Sequence, residues 1–279
     1  MKEKGWIALD IDGTITLDKY SVPDEVTQFL HSLHKEGWKI ALATGRPFAF
    51  ASLALSKFDF PYLFLPQNGS IALEMPEKKI LFKRYLTPSV IPSVEAAYQD
   101  IDSDFLIYAG YEKGDFCYWR PERMAEEDLR YLENLQKRQK EEWKALPDFK
   151  GLDPFPMIKC FGSLPRMEKV AERLQKTNLF EAALMRDPFE ENYRIILVSN
   201  RGVNKGKSLE EVFKLKGRGS LVIAAGDDEN DRSLLQIADV KIAMSHAPES
   251  LQEEAHYIAP PTRDQGIIHA LQLALRNHG

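Results

Sequence analysis

Asp10-Ile11-Asp12-Gly13-Thr14 places two carboxylates two residues apart, directly after a short apolar run. Side chains at i and i+2 point the same way on extended backbone. Asp10 and Asp12 are therefore expected to converge beyond the carboxyl end of a strand, the edge where open α/β sheets bind ligands. Gly13 tolerates positive φ and lets the chain turn away. Carboxylates this close repel unless a cation lies between them or one holds a proton, and either state is chemically useful. Other segments have the same placement. Ala43-Thr44-Gly45-Arg46 closes another apolar run with a hydroxyl and backbone N–H groups, although a plain strand-to-helix turn has the same look. Gly226-Asp227-Asp228-Glu229-Asn230-Asp231 closes a third, and its acids suit a hard, oxygen-seeking cation such as Mg²⁺. An acidic helix start favoured by the helix dipole is the plainer alternative there. Lys205, in Val203-Asn204-Lys205-Gly206, reads as a loop residue before a helix over Ser208–Phe213, and a single loop lysine is ordinarily just solvated.

The elements that must position these residues follow from the apolar runs Trp6–Leu9, Lys39–Ala43, Tyr62–Leu65, Leu221–Ala225 and Val240–Met244. Short runs without strict alternation suit strands buried on both faces of a parallel sheet. Helical patterns separate them. Ser21 as a cap, Pro23 and the acids Asp24 and Glu25 predict a helix through Leu33, with Gly37 beyond its end. Further helices are expected over Arg232–Ile237 and Gly266–Leu275. This strand–helix alternation predicts an α/β fold with a doubly wound, parallel-sheet (Rossmann-like) core. The alternation breaks between about 83 and 198, where strand-like runs Phe105–Tyr111 and Phe116–Arg120 mix with helical patterns. One helix is expected from near Glu122 to near Leu146, with Ala125, Leu129, Leu132, Leu135, Trp143 and Leu146 on one face. A second is expected near Met167–Gln175, before a strand over Tyr193–Val198. The reading is a core built from 1–85 and 199–279, with an inserted α+β cap domain over 86–198.

Composition narrows the function classes. In 279 residues, 44% are apolar and 28% charged, ordinary values for a soluble globular protein. Acids exceed bases 42 to 37, for a net charge of −5, which argues against nucleic acid or an anionic membrane surface as partner. No apolar run reaches the roughly 18 residues of a spanning helix. Met1-Lys2-Glu3-Lys4-Gly5 lacks a signal-peptide pattern, so a cytoplasmic location is expected. Cys117 and Cys160 have neither metal-ligand spacing nor a disulfide framework. Gly206-Lys207-Ser208 ends like a Walker loop, but the required earlier glycine is Arg201. Asp227, Glu229 and Asp231 have calcium-loop spacing, but Arg232 stands where that loop needs glycine.

In this order the four charged segments resemble the haloacid dehalogenase-like hydrolase superfamily, and within it Cof-like phosphatases with a C2-type cap. Gln67-Asn68-Gly69 after the third run and Asp264-Gln265-Gly266-Ile267 are further matches. The resemblance covers roughly 1–82 and 199–279; the cap matches only by position and size. It implies that Asp10 is the nucleophile forming an aspartyl-phosphate and that Asp12 protonates the leaving oxygen and later activates water. It implies Mg²⁺ held by Asp10, the backbone carbonyl of Asp12 and Asp227, with Asp231 supporting. Thr44, the Gly45 N–H, Lys205 and Asn230 would hold the phosphoryl oxygens. The expected function is Mg²⁺-dependent hydrolysis of a small phosphate monoester, a phosphosugar or similar metabolite. The alternatives are a phosphomutase or phosphotransferase acting on a sugar phosphate, and a non-catalytic binding protein. The insert leaves the core after the third strand and returns just before Lys205, so it is expected to supply specificity contacts. The aromatic segment Phe116–Arg120 and Arg123 are candidates, with simple packing as the alternative. Substrate identity and oligomeric state are not legible.

Overall fold

The computed structural model describes residues 4–139, 142–187 and 189–279, and at 138 and 139 the backbone only. Met1–Glu3 of the N-terminal reading and 140–141 of the expected long helix lie outside the described residues. In chain order the strands are β1 (Gly5–Asp10), β2 (Trp38–Ala43), β3 (Tyr62–Leu65), β4 (Ile71–Met75), β5 (Lys79–Lys83), β6 (Leu106–Tyr108), β7 (Cys117–Trp119), β8 (Trp143–Ala145), β9 (Met157–Ser163), β10 (Phe180–Arg186), β11 (Tyr193–Asn200), β12 (Leu221–Gly226), β13 (Val240–Met244) and β14 (Tyr257–Ala259). The chain forms two compact units, one of them comprising the chain up to Arg46, Ala51–Lys83 and Asn204–Gly279, the other Pro47–Phe50 and Arg84–Val203.

The first unit is built on an eight-stranded sheet in the order β14-β13-β12-β1-β2-β3-β4-β5. Pairing is parallel from β14 to β3 and antiparallel at β3–β4 and β4–β5. The central strands are buried on both faces, as their unbroken apolar runs require. Trp6, Ala8, Ala41, Leu63 and Val222 pack with Leu209, Val212, Leu234 and Leu235 of the helices Lys205–Lys216 and Arg232–Gln236. The alternate side chains Ile7, Leu9, Ile40 and Leu42 are equally buried. The helices Asp24–Lys35 and Gly266–His278 pack on one another and against β2, β13 and β14. The doubly wound α/β core is thus present. Chain order runs outward from β1 in both directions, so the β1–β12 boundary is the switch point at which strand ends open a crevice.

The second unit holds a six-stranded sheet in the order β10-β11-β9-β6-β7-β8. Ile158, Cys160 and Ile196 pack with the helices Ile91–Ala97 and Leu164–Lys176. Phe161, Ile195 and Leu197 pack with Tyr131, Leu132 and Leu135 of the helix Glu126–Gln139.

Several local expectations are corrected. Ser21 does not cap the first long helix; Pro23 occupies that position, and the Ser21 N–H and hydroxyl bind Asp18 instead. The helix expected from Glu122 to Leu146 is described only over Glu126–Gln139, and Trp143 belongs to the strand β8. Trp119 and Trp143 stack edge to face across the β7–β8 pair, so cross-strand packing claims a side chain that helical spacing also fits. Among the described residues no helix is long and apolar enough to cross a membrane.

Candidate active site

β1 is buried along its whole length and delivers Asp10 as its last residue, 3% exposed, at the switch point. The opposing charge arrives from a helix. Asn204 accepts the Lys207 N–H on its side chain at 2.9 Å and starts the helix Lys205–Lys216. Lys205 is therefore the first residue of that helix and not a loop residue as expected. Its buried Nζ donates to Asp10 Oδ1 and to Asp231 Oδ1, both at 2.5 Å. Asp231 in turn is fixed by its own turn. Its Oδ2 accepts the N–H of Asp227 at 2.9 Å and of Asp228 at 3.1 Å, while the Asp228 carboxylate caps the same turn. Both Asp231 oxygens are thus engaged within the protein.

The two carboxylates of the opening motif do not share one set of partners. The strand ends at Asp10, so alternation no longer governs Asp12. Arg46 clamps Asp12 through both carboxylate oxygens, with Nε to Oδ2 at 2.6 Å and Nη2 to Oδ1, and Lys19 approaches at 3.6 Å. Burial alone would raise the Asp12 pKa, but the Arg46 hydrogen bonds and the Arg46 and Lys19 charges hold it below the usual carboxylate range. Asp10 shifts the other way. Burial raises it well above its ordinary value, Asp231, Asp227 and Asp12 add to the rise, and Lys205 opposes it. Burial would discharge Lys205, yet Asp10 and Asp231 keep it firmly protonated.

The remaining expected residues line the same edge of this unit. Thr44, fully buried, accepts the Arg46 N–H on Oγ1 at 3.0 Å, which leaves the hydroxyl hydrogen as a donor. Gly45 follows, half-buried. Asn230 donates Nδ2–H to Asn68 Oδ1 at 3.3 Å. Gly13 has φ +71°, and a Cβ there would meet Asp227 Oδ2 at 2.3 Å, so both the turn and the space demand glycine. Asp227 Oδ2 also lies 3.2 Å from His246 Nε2. Burial lifts the Asp227 pKa to about 6 despite that contact.

These groups could hold a metal. Ligating oxygens of Asp10, Asp227 and Asp231 lie within 4.8 Å of one another. Asp10 Oδ2 is buried and bonded to no protein group. Lys205 is the cation bonded to Asp10 and Asp231, so the cluster carries more negative than positive charge. An unsatisfied buried carboxylate oxygen among hard oxygen donors fits a small divalent cation such as Mg²⁺. The Asp12 carboxylate is not part of this group.

Arg46, Lys19, His246 and Asn68 were not expected in the site. Arg46 and Asn68 stood inside motifs already noted, Ala43–Arg46 and Gln67–Gly69, whereas a lone lysine and a lone histidine carry no pattern. Arg120 and Phe116, candidate cap contacts, are spent on packing. Arg120 is 2% exposed, bonded to Asp104 through Nε at 2.6 Å and Nη2 at 2.7 Å, with its guanidinium over Phe149.

A family model of haloacid dehalogenase-like hydrolases matches residues 7–271. An HMP-PP phosphatase of Cronobacter sakazakii is 25% identical over 255 residues, covering 89% of this chain and 87% of its own. The 5-amino-6-(5-phospho-D-ribitylamino)uracil phosphatase YitU of Bacillus subtilis is 20% identical over 284 residues, covering 95% and 96%. A solved structure of a haloacid dehalogenase-like hydrolase from Bacteroides thetaiotaomicron superposes with a TM-score of 0.76 at 22% identity, over 97% of this chain and 99% of that one.

Proposed function

We propose that this chain, which belongs to the haloacid dehalogenase-like hydrolase family and is a phosphatase, hydrolyses small phosphate monoesters, phosphosugars or similar metabolites, by way of a phosphoryl group carried on Asp10. The observation that carries the reading is the state of Asp10: buried, ionically tied to Lys205 through Oδ1, with Oδ2 left without a protein partner. Support for the substrate class comes from the similar Bacillus subtilis phosphatase, whose name specifies a phosphorylated small molecule, 5-amino-6-(5-phospho-D-ribitylamino)uracil.

The chemistry divides into two displacements. One carboxylate oxygen of Asp10 attacks phosphorus, the bond from phosphorus to the ester oxygen breaks, and Asp12 gives that oxygen a proton. Asp12, again a carboxylate, then takes a proton from water as the water oxygen attacks phosphorus. The bond from Asp10 to phosphorus breaks, releasing inorganic phosphate. Covalent catalysis of this kind replaces one hard step with two easier ones. Asp12 starts ionised on Arg46, so it must be released from that clamp and take up a proton before it can act as the acid. Thr44, the Gly45 N–H, Lys205 and Asn230 hold the phosphoryl oxygens.

A carboxylate approaching a phosphate dianion meets roughly 4 kcal/mol of repulsion per pair of unit charges at ~4 Å and an effective dielectric near 20. Lys205 offsets part of it from a fixed position. Asp10 and Asp227, with the Asp12 backbone carbonyl and with Asp231 in support, would hold Mg²⁺, which supplies further positive charge at the phosphoryl group. The test is phosphate release from a panel of small esters by the purified full-length protein with Mg²⁺. Turnover of at least one sugar phosphate or similar ester is expected. No release from any ester, with the protein folded, would contradict the proposal.

A further inference from the structure

We propose that Asn68 is a positioning residue: it orients the Asn230 amide toward the phosphoryl group and, through its turn, ties together three segments of the phosphate-binding end. The inference rests on the reading above, in which Thr44, Lys205 and Asn230 hold phosphoryl oxygens.

The turn after β3 is costly in itself. Gln67, Asn68 and Gly69 are consecutive residues with φ of 52°, 54° and 84°. Side chains other than glycine rarely adopt that left-handed region. The Gln67 amide is fully buried, with neither Nε2 nor Oε1 hydrogen-bonded. Buried polar groups without partners are uncommon, and strain of this kind gathers where function over-determines the backbone.

What holds the turn is the site. The Gln67 N–H donates to Arg46 O at 2.9 Å and the Asn68 N–H to Thr44 O at 2.8 Å. Ser208, one turn along the helix from Lys205, donates its hydroxyl to Gly69 O at 2.9 Å. A Cβ at Gly69 would lie 2.5 Å from that same hydroxyl, so helix and turn are in direct contact. Asn68 then reaches the third segment, accepting the Asn230 Nδ2–H at 3.3 Å. Asn68 itself is 7% exposed.

The consequence is orientation. A side-chain amide can present either its N–H₂ or its carbonyl, and only the N–H₂ attracts a phosphoryl oxygen. With one Nδ2–H committed to Asn68, the Asn230 amide is fixed with its nitrogen toward the turn and its second N–H remaining as donor. Without Asn68 the amide rotates, and its carbonyl faces the anion for part of the time. Phosphate binding weakens, while Asp10 and Asp12 keep their own partners.

The test uses full-length protein and two ligands, the best ester of the panel and inorganic phosphate as a competing product. Asn68→Gly removes the amide and accepts the same φ without strain. It should raise KM and the inhibition constant of phosphate about tenfold, the loss expected when one charge-assisted hydrogen bond is misdirected, with a smaller change in kcat and little change in unfolding temperature. Asn68→Ala makes the same deletion but adds left-handed strain, so it should match the phosphate constant and melt lower. In an Asn230→Ala background, Asn68→Gly should cost nothing further, because the two residues act as one unit. An equal loss in both backgrounds, or an unchanged phosphate constant in Asn68→Gly, would overturn the inference. A wild-type protein that neither hydrolyses esters nor binds phosphate would instead overturn the underlying reading.

Discussion

Lys205 is the residue whose loss the core should feel most. It is 1% exposed and is ion-paired with two buried carboxylates, so Lys205→Met keeps the bulk and leaves Asp10 and Asp231 without that cation. Breaking a buried pair from one side costs about 3–5 kcal/mol. The urea midpoint of Lys205→Met should fall accordingly, and Mg²⁺ should restore part of the loss by supplying charge to the same cluster. A midpoint equal to wild type without metal would mean that the pair is better hydrated than its burial implies. The wild-type protein should need the cation for turnover. Excess chelator should abolish phosphate release, Mg²⁺ should restore it, and Ca²⁺ should not, because its longer and more numerous bonds would engage both Asp10 oxygens and block attack. Full activity in chelator would contradict the Asp10–Asp227–Asp231 assignment.

Within the second unit, the loop between β6 and β7 carries Asp115, which has φ +60°. Its Oδ2 accepts the Ala49 N–H at 2.6 Å and its Oδ1 is buried without a partner. Burial, with the Glu112 charge, raises its pKa from an ordinary 3.8 to about 6, against the Ala49 hydrogen bond. The folded protein therefore holds this proton more tightly than the unfolded chain. The stabilisation is complete below about pH 4 and is lost as pH rises through about 6. Asp115→Asn, which can still accept from Ala49, should be more stable than wild type at pH 7 by at most about 3 kcal/mol. The advantage should shrink steadily between pH 6 and pH 4. A pH-independent difference in unfolding temperature would refute the linkage. The same scale shows what the sequence could tell. The central strands were legible because β1, β2, β3, β12 and β13 are buried on both faces and read as unbroken apolar runs. The hairpin β4–β5 was not, because β5 is an edge strand with lysine at each end and a partly exposed middle. β9 and β10 escaped notice too, since seven-residue runs with Lys159 or Glu181 inside them carry no clear period. Motif order placed Asp10, Asp227, Asp231 and Lys205 in one site. It could not show that Asp12 leans on Arg46, because the Ala43–Arg46 segment was read for its hydroxyl and backbone N–H groups and gave the arginine no role.

On the scale of the whole molecule, the second unit interrupts the first twice, briefly at Pro47–Phe50 and at length between β5 and the helix that begins with Lys205. The chain re-enters the first unit at Asn204, one residue before Lys205. A net charge of −5 argues against a general attraction for polyanions. Small sugar phosphates should accordingly outcompete a phosphopeptide and a 5′-phosphorylated oligonucleotide in kcat/KM. A higher value for either large substrate than for every small ester would contradict this. The central claim is that the phosphoryl group passes through Asp10, and acid-quenched single turnover tests it most directly. Full-length protein is mixed with a ³²P-labelled ester that it hydrolyses, quenched within one turnover and digested. The account predicts label on the peptide that carries Asp10, and neither label nor turnover in a folded Asp10→Asn variant. Phosphate release by that variant at the wild-type rate, or label confined to another peptide, would contradict it.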